Sequence, residues 1–219
     1  MTDTRGAYRK NESSSPRPRG SDAQPQRDLK FAAVAGALLF SAAVLGFGSA
    51  IDGYSQLRHP VALLGATGIP GAAAFNLIAF VIPGLVAVCI AWQLRSRLQR
   101  DAAWPARIGA SLALLSALAF AAQGLFAMDP ANLDAPASRW HYVTWMLWWI
   151  AYVPAGLLLA AGVRGVQRWH VFAAASAATA VVVGVCALLP ADVLPAGIVQ
   201  RIGFLAWLSW CCMQPESTS

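Results

Sequence analysis

Three polar stretches, far apart in the chain, hold the residue types that could do chemistry. Asp52, Arg58 and His59 lie in the first, with Asn76 beyond it; Gln123, Asp129, Asp134, Arg139 and His141 lie in the second; Asp192, Gln200 and Arg201 lie in the third. Each stretch sets an Asp ahead of a single Arg. Carboxylate and imidazole groups can act as acid or base, and arginine grips an anion with paired N–H groups. Brought to one end of a helix bundle, Asp52, Arg58, His59, Asn76, Gln123, Asp129, His141, Gln200 and Arg201 form one polar cluster. Two readings of it stand. An interfacial collar of salt bridges needs no substrate. A site would use Asp129 or His141 as acid or base and Arg58 or Arg201 to hold a headgroup.

A second constellation follows His141. Residues His141, Trp145, Trp148 and Tyr152 recur at i, i+4, i+7 and i+11, one face of a helix. The face runs about 16 Å along the axis. Trp145, Trp148 and Tyr152 could line a pocket for an acyl chain or isoprenoid, or pack within a bundle.

The elements that must position these residues are apolar. The chain has 219 residues, 58% hydrophobic and 12% charged, with mean hydropathy +0.54. Soluble chains carry about 25% charged residues. Six apolar stretches, at about 31–51, 72–94, 108–127, 141–163, 171–189 and 195–213, predict an all-α polytopic membrane protein with six transmembrane helices in one bundle. Residues 1–30 are polar and rich in Ser, Pro and Arg, predicting a disordered tail, and 214–219 form a short polar tail. A signal peptide cleaved near Gly48 and Ala50 fits poorly, because the apolar run is too long.

Thirteen of the sixteen Lys and Arg lie in the N-terminal tail and the second and fourth gaps; Arg58, Arg139 and Arg201 are the exceptions. Positive-inside logic then places both termini in the cytoplasm; Arg outnumbers Lys fourteen to two, a compositional hint of a GC-rich bacterial genome, so the expected location is a bacterial plasma membrane. The net charge of +6 is spent on topology and anionic headgroups, so nucleic acid is not an expected partner. Membrane lipids and a second copy of the chain are. Only about 14 uncharged residues follow Arg201, covering about 21 Å. A full last span must therefore start near Val193 or Pro195, burying Gln200 and Arg201 a turn or two deep. There Arg201 is expected to pair with Asp52, Asp129 or Asp192.

Pro83-Gly84 and Pro154 with Gly156 fall mid-span, predicting paired helix breaks that free the carbonyls of Ala79 and Ile150. Such pairs mark some transporter sites, although Gly and Pro also serve ordinary packing. Gly109, Ala113, Ala117 and Ala121 form a small-residue stripe for close helix contact. Cys89, Cys186, Cys211 and Cys212 make no C-x-x-C, and His170 falls on the opposite side from His59 and His141. Neither a metal nor a cofactor is expected, and no nucleotide or hydrolase motif is present.

The stretch Arg58-His59-Pro60-Val61-Ala62-Leu63-Leu64-Gly65-Ala66, leading through Gly68-Ile69-Pro70 to Phe75-Asn76, resembles the signature region of the integral-membrane family known as domain of unknown function 998. Supporting stretches are Gln123-Gly124-Leu125-Phe126 with Asp129-Pro130, and Gly197-Ile198-Val199-Gln200-Arg201. The resemblance covers about residues 31–213 and implies a six-helix bundle in a prokaryotic membrane. It implies no activity and assigns no catalytic residue. Members usually continue the last helix further, into basic residues, whereas this chain stops at Cys211-Cys212-Met213-Gln214 and a short polar tail.

The function expected from these features is a non-enzymatic membrane protein with an outward-facing polar cluster that binds a lipid or partner. The alternatives are a small membrane enzyme acting on a lipid-linked or amphiphilic substrate, and a small dimeric transporter using the two proline breaks.

Overall fold

The computed structural model describes residues 23–98, 102–190 and 192–215. Residues 1–22 of the expected disordered tail, Arg100, and 216–219 of the C-terminal tail lie outside them. The described chain forms six helices: α1 (Ala23–Ser49), α2 (Ala72–Arg97), α3 (Trp104–Gln123), α4 (Pro136–Val163), α5 (His170–Leu188) and α6 (Ala196–Cys212). The first five are long and apolar enough to cross a membrane. With 17 residues, α6 spans about 26 Å, short of the roughly 30 Å of hydrocarbon.

Several bounds differ from the sequence reading. Helix α1 begins at Ala23, so Arg27 and Lys30 lie within it rather than in a tail. Helix α3 stops at Gln123 rather than near 127, and α4 starts at Pro136, where Pro fits the first turn because the N–H it lacks would have no partner there.

Consecutive helices pack as neighbours, and α1 closes the ring by touching both α2 and α6. Glycines mark the antiparallel crossings. A Cβ on Gly84 would lie 2.6 Å from the Cα of Ala121, and one on Gly156 would lie 2.5 Å from the Ser176 carbonyl oxygen. Lipid tails are as apolar as leucine, so close van der Waals packing, not transfer from water, holds such helices together.

The two mid-span prolines behave differently. Before Pro83, residues Leu77–Val81 widen into a π-type turn, and the Ile82 N–H donates to the Leu77 carbonyl. The wider turn absorbs the clash that Pro83 would impose on the turn before it. Pro154 interrupts nothing: α4 is continuous from Pro136 to Val163. The expected pair of breaks is therefore a single one.

The interior is aromatic. Phe40, Phe80, Phe120 and Phe204 meet mutually at centroid distances of 5.4–6.4 Å. Trp148 and Trp207 continue the cluster toward Tyr152 and Trp210. Edge-to-face and offset aromatic pairs of this kind contribute about 0.5–1.5 kcal/mol each beyond their buried area.

Candidate functional site

One end of the ring is plugged by its own first loop. Between α1 and α2 the chain turns inward and forms a 3-10 segment, Val61–Gly65, in which Val61 and Leu64 are fully buried. Buried main-chain groups need partners. The Val61 N–H donates to Gln200 Oε1 at 2.9 Å, Asn76 Nδ2 donates to the Gly65 carbonyl at 2.9 Å, and the Thr67 N–H donates to the Met128 carbonyl at 2.8 Å. The plug is thus tied to α6, α2 and the α3–α4 loop. Gly65 is required by contact, since a Cβ there would overlap the Asn76 carboxamide.

Arg201 fastens the same loop to α6. Its N–H groups make five hydrogen bonds to four acceptors. Nε and Nη2 donate to Gln56 Oε1 at 3.1 and 2.6 Å, Nη1 to the carbonyls of His59 at 3.1 Å and Gly197 at 2.7 Å, and Nη2 also to the Tyr54 hydroxyl at 2.8 Å. Every acceptor is neutral. The expected pairing with Asp52, Asp129 or Asp192 does not occur; Asp52 and Asp192 are exposed, and no carboxylate among the described residues pairs with Arg201. Short loop carbonyls and one carboxamide reach a guanidinium in the second turn of α6 where the carboxylates do not. Gly197, one turn earlier, lets the loop lie flat: a Cβ there would sit 2.6 and 2.7 Å from the carbonyl oxygens of Leu57 and His59. Tyr54 passes the chain on, donating to the Pro60 carbonyl at 3.2 Å. Burial raises the Tyr54 phenol above its ordinary value, and the charge and hydrogen bond of Arg201 oppose that shift.

The remaining expected residues form a separate group at the same end. His141 Nδ1 lies 2.9 Å from the Phe126 carbonyl and donates to it, capping the chain just past α3. Ser138, fully buried, accepts from the Asp129 N–H at 2.9 Å and donates to the Asn132 carbonyl at 3.0 Å. Asp129 Oδ1 accepts from the Ala131 N–H at 3.0 Å, closing a local turn. Gln123 is 1% exposed, and its Nε2 has no acceptor. Arg58 is exposed, and its backbone N–H rather than its guanidinium contacts Ser55. His59 Nδ1 accepts from the Ser55 N–H at 2.9 Å. Arg139 meets Asp134 at 3.5 Å with both side chains largely in the open, a contact of little energetic weight.

The nine-residue cluster therefore divides. His59, Gln200 and Arg201 join in the loop–α6 tie; Asn76 anchors the plug; Asp129 and His141 order the α3–α4 turn, with Gln123 buried at the end of α3; Asp52 and Arg58 stay at the rim. Sequence reasoning missed Tyr54, Gln56 and Ser138, and it quoted Gly65 and Gly197 only within the family-like stretches, with no role. It weighed ionisable groups first, whereas the acceptors and contacts that matter here are neutral. The i, i+4 spacing of Gly197 and Arg201 was the available signal.

Both histidines engage the main chain through Nδ1, and no carboxylate is set beside either to make an acid–base pair among the described residues. No three His, Cys, Asp or Glu side chains among them gather as metal ligands. Trp148 and Tyr152, read from the sequence as either a pocket wall or bundle packing, are 3% and 0% exposed within the aromatic core, and Tyr152 pairs its hydroxyl with Thr179 at 2.6 Å. Trp145 is half-buried against Trp149. Open volume lies on the flank instead: a groove of about 310 Å³ between α1 and α6, walled by Phe40, Val44, Leu45, Ile202 and Leu205 and headed by Gln56 and Arg201.

The stretches that meet at the plugged end all lie within the region matched by one family. A family model described as "Protein of unknown function (DUF998)" matches residues 34–213. The chain belongs to the DUF998 family. No curated protein and no solved structure matches it. In this DUF998 member, the matched region covers all of the plug, the Arg201 tie and the flank groove.

Proposed function

We propose that this DUF998 chain is a non-enzymatic protein of the bacterial plasma membrane that holds one anionic lipid on its flank, between α1 and α6. The plugged end faces outward and both termini lie in the cytoplasm. The orientation rests on the arginines crowded at the opposite end. The lipid reading rests on one observation: the groove is apolar along its length and ends at Arg201, a cation matched by neutral acceptors only. Such a charge attracts an anionic headgroup even when its N–H groups are occupied, with a gain of about 1 kcal/mol near a membrane surface. The aromatic filling of the bundle favours a flank site over a central one, and the spent histidines favour binding over turnover.

Native mass spectrometry of the purified full chain, loaded with phosphatidylglycerol or phosphatidylcholine of the same chains, tests this. Phosphatidylglycerol should be retained preferentially. Arg201→Gln should weaken retention about fivefold, and Leu45→Trp, which fills the groove, should abolish the groove-bound lipid. Unaltered retention in both variants would sink the proposal.

A further inference from the structure

The opposite, arginine-rich end carries a second recess. Helices α2 and α3 enclose about 320 Å³ there, lined by Arg95, Leu98, Trp104, Arg107, Ile108 and Ser111. The two arginines come from two helices, the last turn of α2 and the first of α3. Ser111 holds Arg95 against α3: Arg95 Nε donates to Ser111 Oγ at 3.1 Å, and Ser111 Oγ in turn donates to the main-chain carbonyl of Arg107 at 3.1 Å. Arg95 also lies 5.8 Å over the Trp92 ring. With Nε engaged, both Nη groups of Arg95 and the whole Arg107 guanidinium make no hydrogen bond or ion pair among the described residues. This contrasts with Arg201, whose donors are saturated, and with Arg97, which is turned away to the Pro215 carbonyl at 3.1 Å.

The recess is built for an amphiphile. Trp92 and Trp104 are 57% and 67% exposed, and exposed tryptophans mark the headgroup level of a bilayer. Leu98, Ile108 and Leu112 offer apolar walls, and Ile108 is 45% exposed on the flank. Free planar guanidinium forks match phosphate oxygens. We infer that Arg95 and Arg107 bind the phosphate of one anionic phospholipid in the leaflet at the arginine-rich end.

The site is independent of the α1–α6 groove, so the two are separable by counting. Native mass spectrometry of the full chain with phosphatidylglycerol should detect two retained lipids in the wild type, one in Leu45→Trp, and one in the Arg95→Gln/Arg107→Gln variant. The double variant should lose about thirtyfold in affinity for this second lipid. Arg95→Lys/Arg107→Lys, which keeps the charge and so controls for folding, should lose only a few-fold. Equal binding of phosphatidylcholine to the wild type would overturn the proposal, as would wild-type retention by the double Gln variant. Competition by millimolar inorganic phosphate as strong as by the lipid would also overturn it, since the recess would then recognise a soluble anion.

Discussion

Arg201 Nη2 and Nε both donate to a single atom, Gln56 Oε1, at 2.6 and 3.1 Å, across 145 positions of sequence. The Gln56 Nε2 in turn donates to the Val44 carbonyl at 2.9 Å. One carboxamide thereby joins α1, the first loop and α6, and closes the ring at the plugged end.

Replacing Arg201 with Leu should remove all five bonds. Polar contacts in membrane proteins average about 0.6 kcal/mol each, so the loss is about 3 kcal/mol for the set. Thermal unfolding in detergent should fall by roughly 5–10 °C. Arg201→Lys should recover less than half, because a tetrahedral ammonium has three donors and no planar fork. A melting curve unchanged in Arg201→Leu would mean the tie carries no weight.

Gly197 and Gly46 form a matched pair. A Cβ at Gly197 would press on the main chain of Leu57 and His59, whereas one at Gly46 meets nothing within 4 Å. Gly197→Ala should destabilise by about 1–3 kcal/mol. Gly46→Ala should be neutral or stabilising by up to about 1 kcal/mol, through helix propensity. Chemical unfolding of the two variants side by side checks the contrast, and equal curves would remove the packing argument.

Tyr54 predicts an alkaline instability. Its phenol titrates above the ordinary value of 10.0 in the folded chain, so the folded state holds the proton more tightly than the unfolded one. Its stabilising share is complete below pH 10 and is lost as pH rises through the folded value. Melting temperatures measured from pH 8 to 11.5 should fall above pH 10 more steeply in the wild type than in Tyr54→Phe. Parallel profiles would exclude the group.

Orientation is open to labelling. In a variant lacking the native cysteines, Asp134→Cys should react with a membrane-impermeant maleimide on intact cells, and Arg164→Cys should not. Both positions are exposed, so accessibility does not confound the comparison. The reverse pattern would invert the assignment.

Much of the architecture was legible because the bilayer constrains it strongly. Backbone groups within hydrocarbon must pair inside their own segment, so each apolar run of sufficient length reads as a helix. The small residues Gly84, Gly109 and Gly156 announced close crossings, and each meets a neighbouring backbone or side chain. Arg201 was also legible as an anomaly: the apolar run behind it is too short to span from its own position, so it had to sit inside the helix.

What Arg201 touches was not legible. Opposite charges in short loops suggested ion pairs, yet which loop folds inward depends on contacts distant in sequence. Gly65 must lack a side chain for Asn76 to reach its carbonyl, and Gly197 must lack one for the carbonyls of Leu57 and His59 to lie on α6. The same holds for Pro83 and Pro154, alike in sequence but unlike in outcome, since only the first is accommodated by a π-type turn. By itself the sequence determined the helices and the order of the charges along the chain, because hydropathy and length act locally. Only the tertiary structure decided that the first loop plugs the ring and that Arg201 is held by neutral groups, because those outcomes depend on which buried donors find acceptors across the bundle.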